Sequence, residues 1–217
     1  MYRFREGGFR GLLRRALVYM REALWSDSEW RIYERELTDD VSCVRATVIR
    51  RELGFRELVD LGYFKARDFP EAMRRRMDSG NVCYGFFEGG QLATIGWSSV
   101  DYLELDANLR ISCPSSVGLF DFYTKREFRS KGYYTNALRQ LVVVMSDAGF
   151  VKARIAVDPN NTPSIKGIER AGFRLVMRVS RRRRLGRSSI RQECVSKHAS
   201  SVGEKGFARR HSMGRRG

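Results

Sequence analysis

The run from Val117 to Gly149, VGLFDFYTKREFRSKGYYTNALRQLVVVMSDAG, changes its periodicity once, and that change decides the fold. Val117 to Tyr123 is short, almost wholly apolar and bounded by polar residues, the pattern of a strand buried on both faces. After Gly132, the residues Tyr134, Leu138, Leu141, Met145 and Ala148 recur every three or four positions, an apolar stripe along one helix face. Gly149 follows as a C-terminal stop. Between strand and helix lies Arg129-Ser130-Lys131-Gly132. The first turn of a helix has backbone N–H groups without intrahelical partners and a partial positive charge, so a strand entering a helix here makes an anion cradle. Gly132 lets a phosphate approach the backbone, and Arg129 and Lys131 add full charges. A solvated basic turn before an ordinary helix fits the same four residues, and the sequence downstream bears on the choice.

At 217 residues and 42% hydrophobic content, the chain is long enough for one ordinary domain with a real core and appendages. Its charge of +16 is uneven: residues 181–217 carry +10 and residues 1–22 carry +4, leaving +2 for everything between. Basic ends attract nucleic acid, anionic lipid or acidic proteins without distinguishing among them. The four cysteines, Cys43, Cys83, Cys113 and Cys194, have no CxxC spacing, and no secretory signal is visible. They read as reduced thiols of a cytoplasmic protein. No apolar run approaches the roughly 20 residues that cross a bilayer.

Phe9 to Leu24 places Leu12, Leu13, Ala16, Leu17, Met20 and Leu24 at helical spacing, with Arg10, Arg14, Arg15 and Arg21 between them. This basic amphipathic helix can pack on the domain or lie on an anionic membrane surface, which would make the protein peripheral there. Trp30–Leu37 and Cys43–Ile49 read as strands, and Glu52–Leu61 and Pro70–Met77 as short helices. Val82–Phe87 and Gln91–Ser98 flank Glu88-Gly89-Gly90 as a hairpin. Asp101–Ser112 reads either as an irregular loop or as an extra edge strand. Val151–Val157 is a strand, Asp158 to Asn161 a turn, and Thr162-Pro163 an N-cap followed by proline at the first helical position. That helix ends at Ala171 before Gly172, and Phe173–Ser180 is a last strand. From Arg181 onward arginine, serine and glycine dominate and periodicity is lost, so order is expected to end there. The expected organisation is a basic helix over residues 1–28, an αβ domain over 29–180 and a basic tail over 181–217.

His198 and His211, the only histidines, sit in the tail, so the domain has no histidine base for a serine or cysteine nucleophile. No metal motif and no glycine-rich nucleotide motif is present. What remains is a set. The chain resembles the GNAT superfamily of acyl-coenzyme A N-acyltransferases over roughly Cys43 to Ser180. The family's pyrophosphate loop runs Arg/Gln-x-x-Gly-x-Gly/Ala, and Arg129, Gly132 and Tyr134 fall on its marked positions. Glu127 and Phe128 fit the common Pro-Glu-Tyr/Phe-Arg lead-in, with Arg126 in place of proline. Downstream, Asn161, Pro163, Ser164, Gly172 and Phe173 match the family's Asn-x-Pro-Ser and Gly-Phe at the expected spacing.

The resemblance implies an α/β (α+β) fold: a twisted mixed sheet flanked by helices, whose Val117–Tyr123 and Val151–Val157 strands splay to admit the pantetheine arm of acetyl-coenzyme A, the co-substrate. No metal is implied. Main-chain groups of Phe122, Tyr123 and Thr124 would pair with the arm like an added strand. Arg129, Ser130, Lys131, Gly132, Tyr133 and Tyr134 would hold the pyrophosphate, with Asn161 and Ser164 on the other side of the arm. Two positions depart from the family pattern: Tyr134 stands where glycine or alanine is usual, and Ile168 where many members carry the tyrosine that protonates the leaving thiolate. Tyr133, Tyr134 or solvent would take over as the acid.

N-acylation needs a base for the attacking primary amine. Asp121 is the one carboxylate within the apolar strand, where burial would raise its pKa, although a structural aspartate satisfied by backbone donors fits as well. Glu127 reads as an exposed turn carboxylate, Cys113 as a buried small side chain rather than a nucleophile, and Trp97, Phe120, Phe122 and Tyr123 as core aromatics. The expected activity is acetyl transfer to the primary amine of a small molecule by direct attack in a ternary complex. The alternative is a catalytically degenerate GNAT-like binding module whose basic tail touches nucleic acid or anionic membrane.

Overall fold

The computed structural model describes residues 25–37, 48–61, 69–106, 109–185 and 187–195. Eight strands form one sheet: β1 (Trp25–Glu36), β2 (Val48–Glu52), β3 (Val82–Glu88), β4 (Gln91–Asp106), β5 (Leu109–Thr124), β6 (Lys152–Val157), β7 (Arg174–Arg184) and β8 (Arg187–Cys194). The helices are α1 (Phe55–Asp60), α2 (Phe69–Asp78), α3 (Tyr133–Asp147) and α4 (Thr162–Arg170). Strand order is β2-β3-β4-β5-β6-β1-β7-β8. Every neighbouring pair is antiparallel except β5–β6. That parallel pair requires a crossover, which α3 supplies.

Strand alternation divides the core. Leu119 and Phe86 join a cluster with Leu138 and Leu141 of α3 and Ile168 of α4. Their chain neighbours Phe120 and Phe87 join a second one with Leu58 of α1 and Met73 of α2. Adjacent strand residues point to opposite faces, so the helices cover both sides. Of the stripe, Leu138, Leu141 and Met145 lie on the buried face of α3, whereas Tyr134 is half-buried and Ala148 is exposed. A third cluster of Ile32, Leu103, Cys113 and Val179 lies under the far end of the β4–β5 hairpin.

Several boundaries move. The Asp101–Ser112 region is neither a loop nor a separate edge strand: it is the distal half of the β4–β5 hairpin, with Tyr102 opposite Ser112 and Glu104 opposite Arg110. The strand expected at Cys43–Ile49 is described only from Val48 and runs on to Glu52. Asn161, not Thr162, caps α4, its side chain accepting from the Ser164 N–H at 3.3 Å. Order does not end at Ser180. Residues 181–184 continue β7 against Trp25–Ser28, and β8 returns along them. Composition misread this stretch because its partners are distant: Arg184 makes two contacts to Asp27 at 2.7 and 2.9 Å, and Arg181 reaches Asp106 at 2.7 Å. β1 likewise starts at Trp25, inside the expected N-terminal helix region. The Phe9–Leu24 helix and the tail beyond residue 195 lie outside the described residues.

A small ion-pair cluster ties β1 to its antiparallel neighbour β6. Glu34 of β1 accepts from Arg154 at 2.8 Å and from Lys152 at 3.2 Å on β6. Burial penalises its charge, but the two cations outweigh that, and its pKa lies below the ordinary glutamate value. A depressed carboxyl contributes stability above its unfolded pKa and loses it as pH falls through the folded one. The melting-temperature gap between wild type and Glu34→Gln should therefore be full above pH ~5 and shrink as the carboxyl protonates below ~4. A constant gap in a thermal-melt pH series would contradict this.

Candidate functional site

β5 and β6 pair from Ser116–Lys152 to Leu119–Ile155 and then separate. Beyond that point β5 pairs only with β4, through Tyr123–Ile95 and Thr124–Thr94, and β6 only with β1, through Ala156–Ile32 and Val157–Arg31. The facing edges are left without a ladder, and a cleft opens between Phe120–Phe122 on one side and Ile155–Asp158 on the other. Tyr134, Asn161 and Ser164 line it as well.

A bulge shapes the β5 wall. Phe120 lies opposite Trp97 and Tyr123 opposite Ile95, so Asp121 and Phe122 share one partner, Gly96. Asp121 takes φ +50°, a left-handed conformation. Gly96 is required: a Cβ there would stand 2.2 Å from the Phe122 ring. Phe122 in turn meets Tyr134 edge-on at 5.4 Å. The Tyr134 ring lies over Gly167, where a Cβ would approach it to 2.6 Å. Burial pushes the Tyr134 phenol above its ordinary pKa, with the Ser164 hydrogen bond opposing that shift.

The cradle follows β5 directly. The Lys125 amide bonds the Ala93 carbonyl at 2.9 Å, and a short 3-10 turn, Arg126–Phe128, leads to Arg129. Ser130 at φ +59° and Gly132 at φ +84° turn the chain into α3. Gly132 is the N-cap, and a Cβ built on it meets nothing within 4 Å. The amides of the first α3 turn have no intrahelical acceptors, no acidic side chain stands in that turn, and the space before it is open. Lys131 is exposed beside it. Arg129 is committed locally: its Nε donates to the Thr124 carbonyl at 3.0 Å and its guanidinium covers the Tyr123 ring.

The two tyrosines part company here. Tyr133 is buried, its ring edge-on to Phe128 at 5.2 Å in the core, so it brings an amide to the cradle but no phenol to the cleft. Tyr134 turns its ring into the cleft, so its bulk does not crowd the cradle. Ile168 is fully buried in the core. Asn161 spends its carbonyl oxygen on Ser164, which leaves its amide nitrogen for a ligand in the cleft.

The burial expected for Asp121 is not found. Its side chain is 42% exposed and ion-paired with Arg76 at 2.5 Å. The bulge is the reason, since it rotates the residue out of the strand's regular alternation. Arg76 also contacts the buried Glu104 at 2.6 Å and lies over the Trp97 and Phe120 rings. Burial works against its charge, but Asp121 and Glu104 prevail and hold its pKa above the ordinary arginine value. Glu104 accepts a second, longer contact from Arg110 at 3.4 Å. Sequence reading missed Arg76 and Glu104, which lie on α2 and in the misread distal hairpin and belong to no motif.

Cys113 is buried among apolar side chains and its thiol is pushed up by that burial, unsuited to a nucleophile. Glu127 is exposed in the 3-10 turn, and Trp97 and Phe120 are core residues. Cys83, Cys113 and Cys194 are free thiols. Among the described residues no cluster of His, Cys, Asp or Glu could hold a metal ion, and no helix is long and apolar enough to cross a membrane.

Known proteins give a consistent comparison. No curated protein matches the chain. Among solved structures, a GNAT-family acetyltransferase from Colwellia psychrerythraea superimposes with TM-score 0.54 at 13% identity over 79% of this chain and 61% of its own. A GCN5-related N-acetyltransferase from Sphaerobacter thermophilus gives 0.52 at 11% identity over 83% and 56%. The chain thus spans about three-fifths of the length of these structures, and at such identities they speak for the fold alone. The family described as the acetyltransferase (GNAT) domain matches residues 20–174, which include the splayed strands, the cradle and the α4 cap. With that match over most of its length, the chain belongs to the GNAT acetyltransferases.

Proposed function

We propose that the protein is an acetyl-coenzyme A-dependent N-acetyltransferase acting on the primary amine of a small molecule. One observation carries this reading: the unladdered edge of β5 beyond Leu119 runs straight into an open helix N-terminus with Gly132 at its lip. An extended amide-bearing arm fits the edge and a diphosphate fits the amides of the cradle, so the residues present suit the co-substrate. Phe122, Tyr123 and Thr124 would supply backbone groups to the arm, although the Thr124 carbonyl is shared with Arg129. Asn161 would reach it from the α4 side. Ser130, Lys131, Gly132 and the Tyr133 and Tyr134 amides would hold the pyrophosphate.

Acetyl-coenzyme A supplies a thioester acyl group and a thiolate leaving group. Asp121, at the bulge in the cleft wall, takes the proton from the attacking amine, directly or through one water. Backbone N–H groups of β5 that face the cleft polarise the thioester carbonyl as the C–N bond forms. Tyr134 gives its phenolic proton to the sulfur as the C–S bond breaks, which the usual tyrosine position, filled by Ile168, would not do. A phenol kept above its ordinary pKa remains protonated at neutral pH, the state an acid needs.

Tyr134→Phe should therefore lower kcat by roughly 10- to 100-fold while leaving coenzyme affinity almost unchanged. Because the phenol is raised rather than lowered, wild-type kcat should show no descending alkaline limb below pH ~9.5. An unaltered kcat in Tyr134→Phe would assign the proton to solvent. The reading as a whole is tested by thiol release from acetyl-coenzyme A against panels of amines, amino sugars and peptides. Thermal stabilisation by the coenzyme with no thiol release on any amine would favour a binding module instead.

A further inference from the structure

We infer that the tip of the β7–β8 hairpin is a docking surface for an anionic lipid bilayer. The tip gathers Arg183, Arg184, Leu185 and Arg187, and Trp25, the first residue of β1, lies opposite Arg184 in the same corner of the sheet. Leu185 is 70% exposed and Trp25 is 52% exposed, with the Arg184 guanidinium over its ring. Arginine beside an indole and an aliphatic tip is the chemistry of the lipid–water interface. The ring sits at headgroup level, the aliphatic side chain enters the acyl boundary, and the guanidinium stays with the phosphates.

Charge complementarity points the same way. Residues 181–195 carry six arginines against one glutamate. Asp27, two residues along β1 from Trp25, is already engaged by Arg184 through both of its oxygens. The chain that leads into this corner has the same chemistry: Phe9 to Leu24 alternates Leu12, Leu13, Leu17 and Met20 with arginines and joins the sheet at Trp25. A surface for single-stranded nucleic acid would instead present aromatic faces open for stacking along a cationic groove. Here the tip aromatic is covered by Arg184, and the exposed aliphatic Leu185 gains nothing from a phosphate backbone.

The test is vesicle flotation of the full chain with phosphatidylcholine alone and with added phosphatidylglycerol. Three forms are compared with wild type. The first carries Arg183→Glu with Arg187→Glu, the second carries Leu185→Asp, and the third, a charge-matched control on α1 and α2, carries Arg56→Glu with Arg75→Glu. Binding should require phosphatidylglycerol, and the hairpin pair should weaken it by more than about tenfold, since each arginine near an anionic surface is worth about fivefold. Leu185→Asp should weaken it several-fold, and the control pair by much less than the hairpin pair. All forms should melt close to the wild type, because Arg56, Arg75, Leu185 and Arg187 are exposed and the half-buried Arg183 gives up only a long contact to the Ser188 hydroxyl at 3.5 Å. Equal losses from the hairpin and control pairs would reduce the effect to net charge and overturn the proposal. So would unchanged vesicle binding in the hairpin forms, including the case in which they lose only oligonucleotide affinity.

Discussion

Gly132→Glu is expected to raise the dissociation constant for acetyl-coenzyme A by at least about 100-fold. Two effects add. A carboxylate in the cradle faces the incoming diphosphate at about 4 Å, where like charges near a protein surface repel by about 4 kcal/mol. The substitution also forces a side chain onto φ +84°, a left-handed conformation that costs an L-residue about 1–2 kcal/mol. Since a Cβ at Gly132 meets nothing within 4 Å, the damage falls on the ligand and not on packing. Gly132→Ala separates the two effects: alanine keeps the left-handed penalty and adds no charge, so it should lose far less affinity. Isothermal titration with acetyl-coenzyme A decides the matter. Wild-type affinity in Gly132→Glu would place the diphosphate elsewhere and remove the cradle from the mechanism.

The second large effect is expected at Asp121. Asp121→Asn should cut turnover by ~100-fold or more if this carboxylate is the base. Asparagine suits the test because it accepts the φ of +50° that the bulge imposes and still offers Arg76 an oxygen. Folding and coenzyme binding should therefore survive while the proton acceptor is lost. Turnover within about threefold of wild type would leave Asp121 as a structural partner of Arg76 and move the search for the base to another carboxylate of the cleft, such as Asp158.

Legibility differed along the chain for physical reasons. The strand–cradle–helix unit could be read because it is local: the period of apolar residues, a glycine needing positive φ and a capping motif all act within a few residues of one another. Tyr133 and Tyr134 could be named as candidates but not told apart, because one rotation about the helix axis sends the first ring to Phe128 and the second to the cleft. Asp121 was found by its place in an apolar strand and misjudged in its surroundings, because the bulge that exposes it depends on Gly96 of the neighbouring strand.

The sequence by itself determined the αβ class, the order of most elements and the Arg129–Tyr134 turn that begins α3, since short-range periodicity and backbone freedom specify these. Only the tertiary structure decided that the Arg181–Cys194 stretch is a hairpin, that Arg76 and Glu104 stand behind Asp121, and that Tyr134 and not Tyr133 lines the cleft. Each of those depends on groups tens of residues apart meeting across strands or helices, and such meetings leave no periodic trace in the chain that makes them.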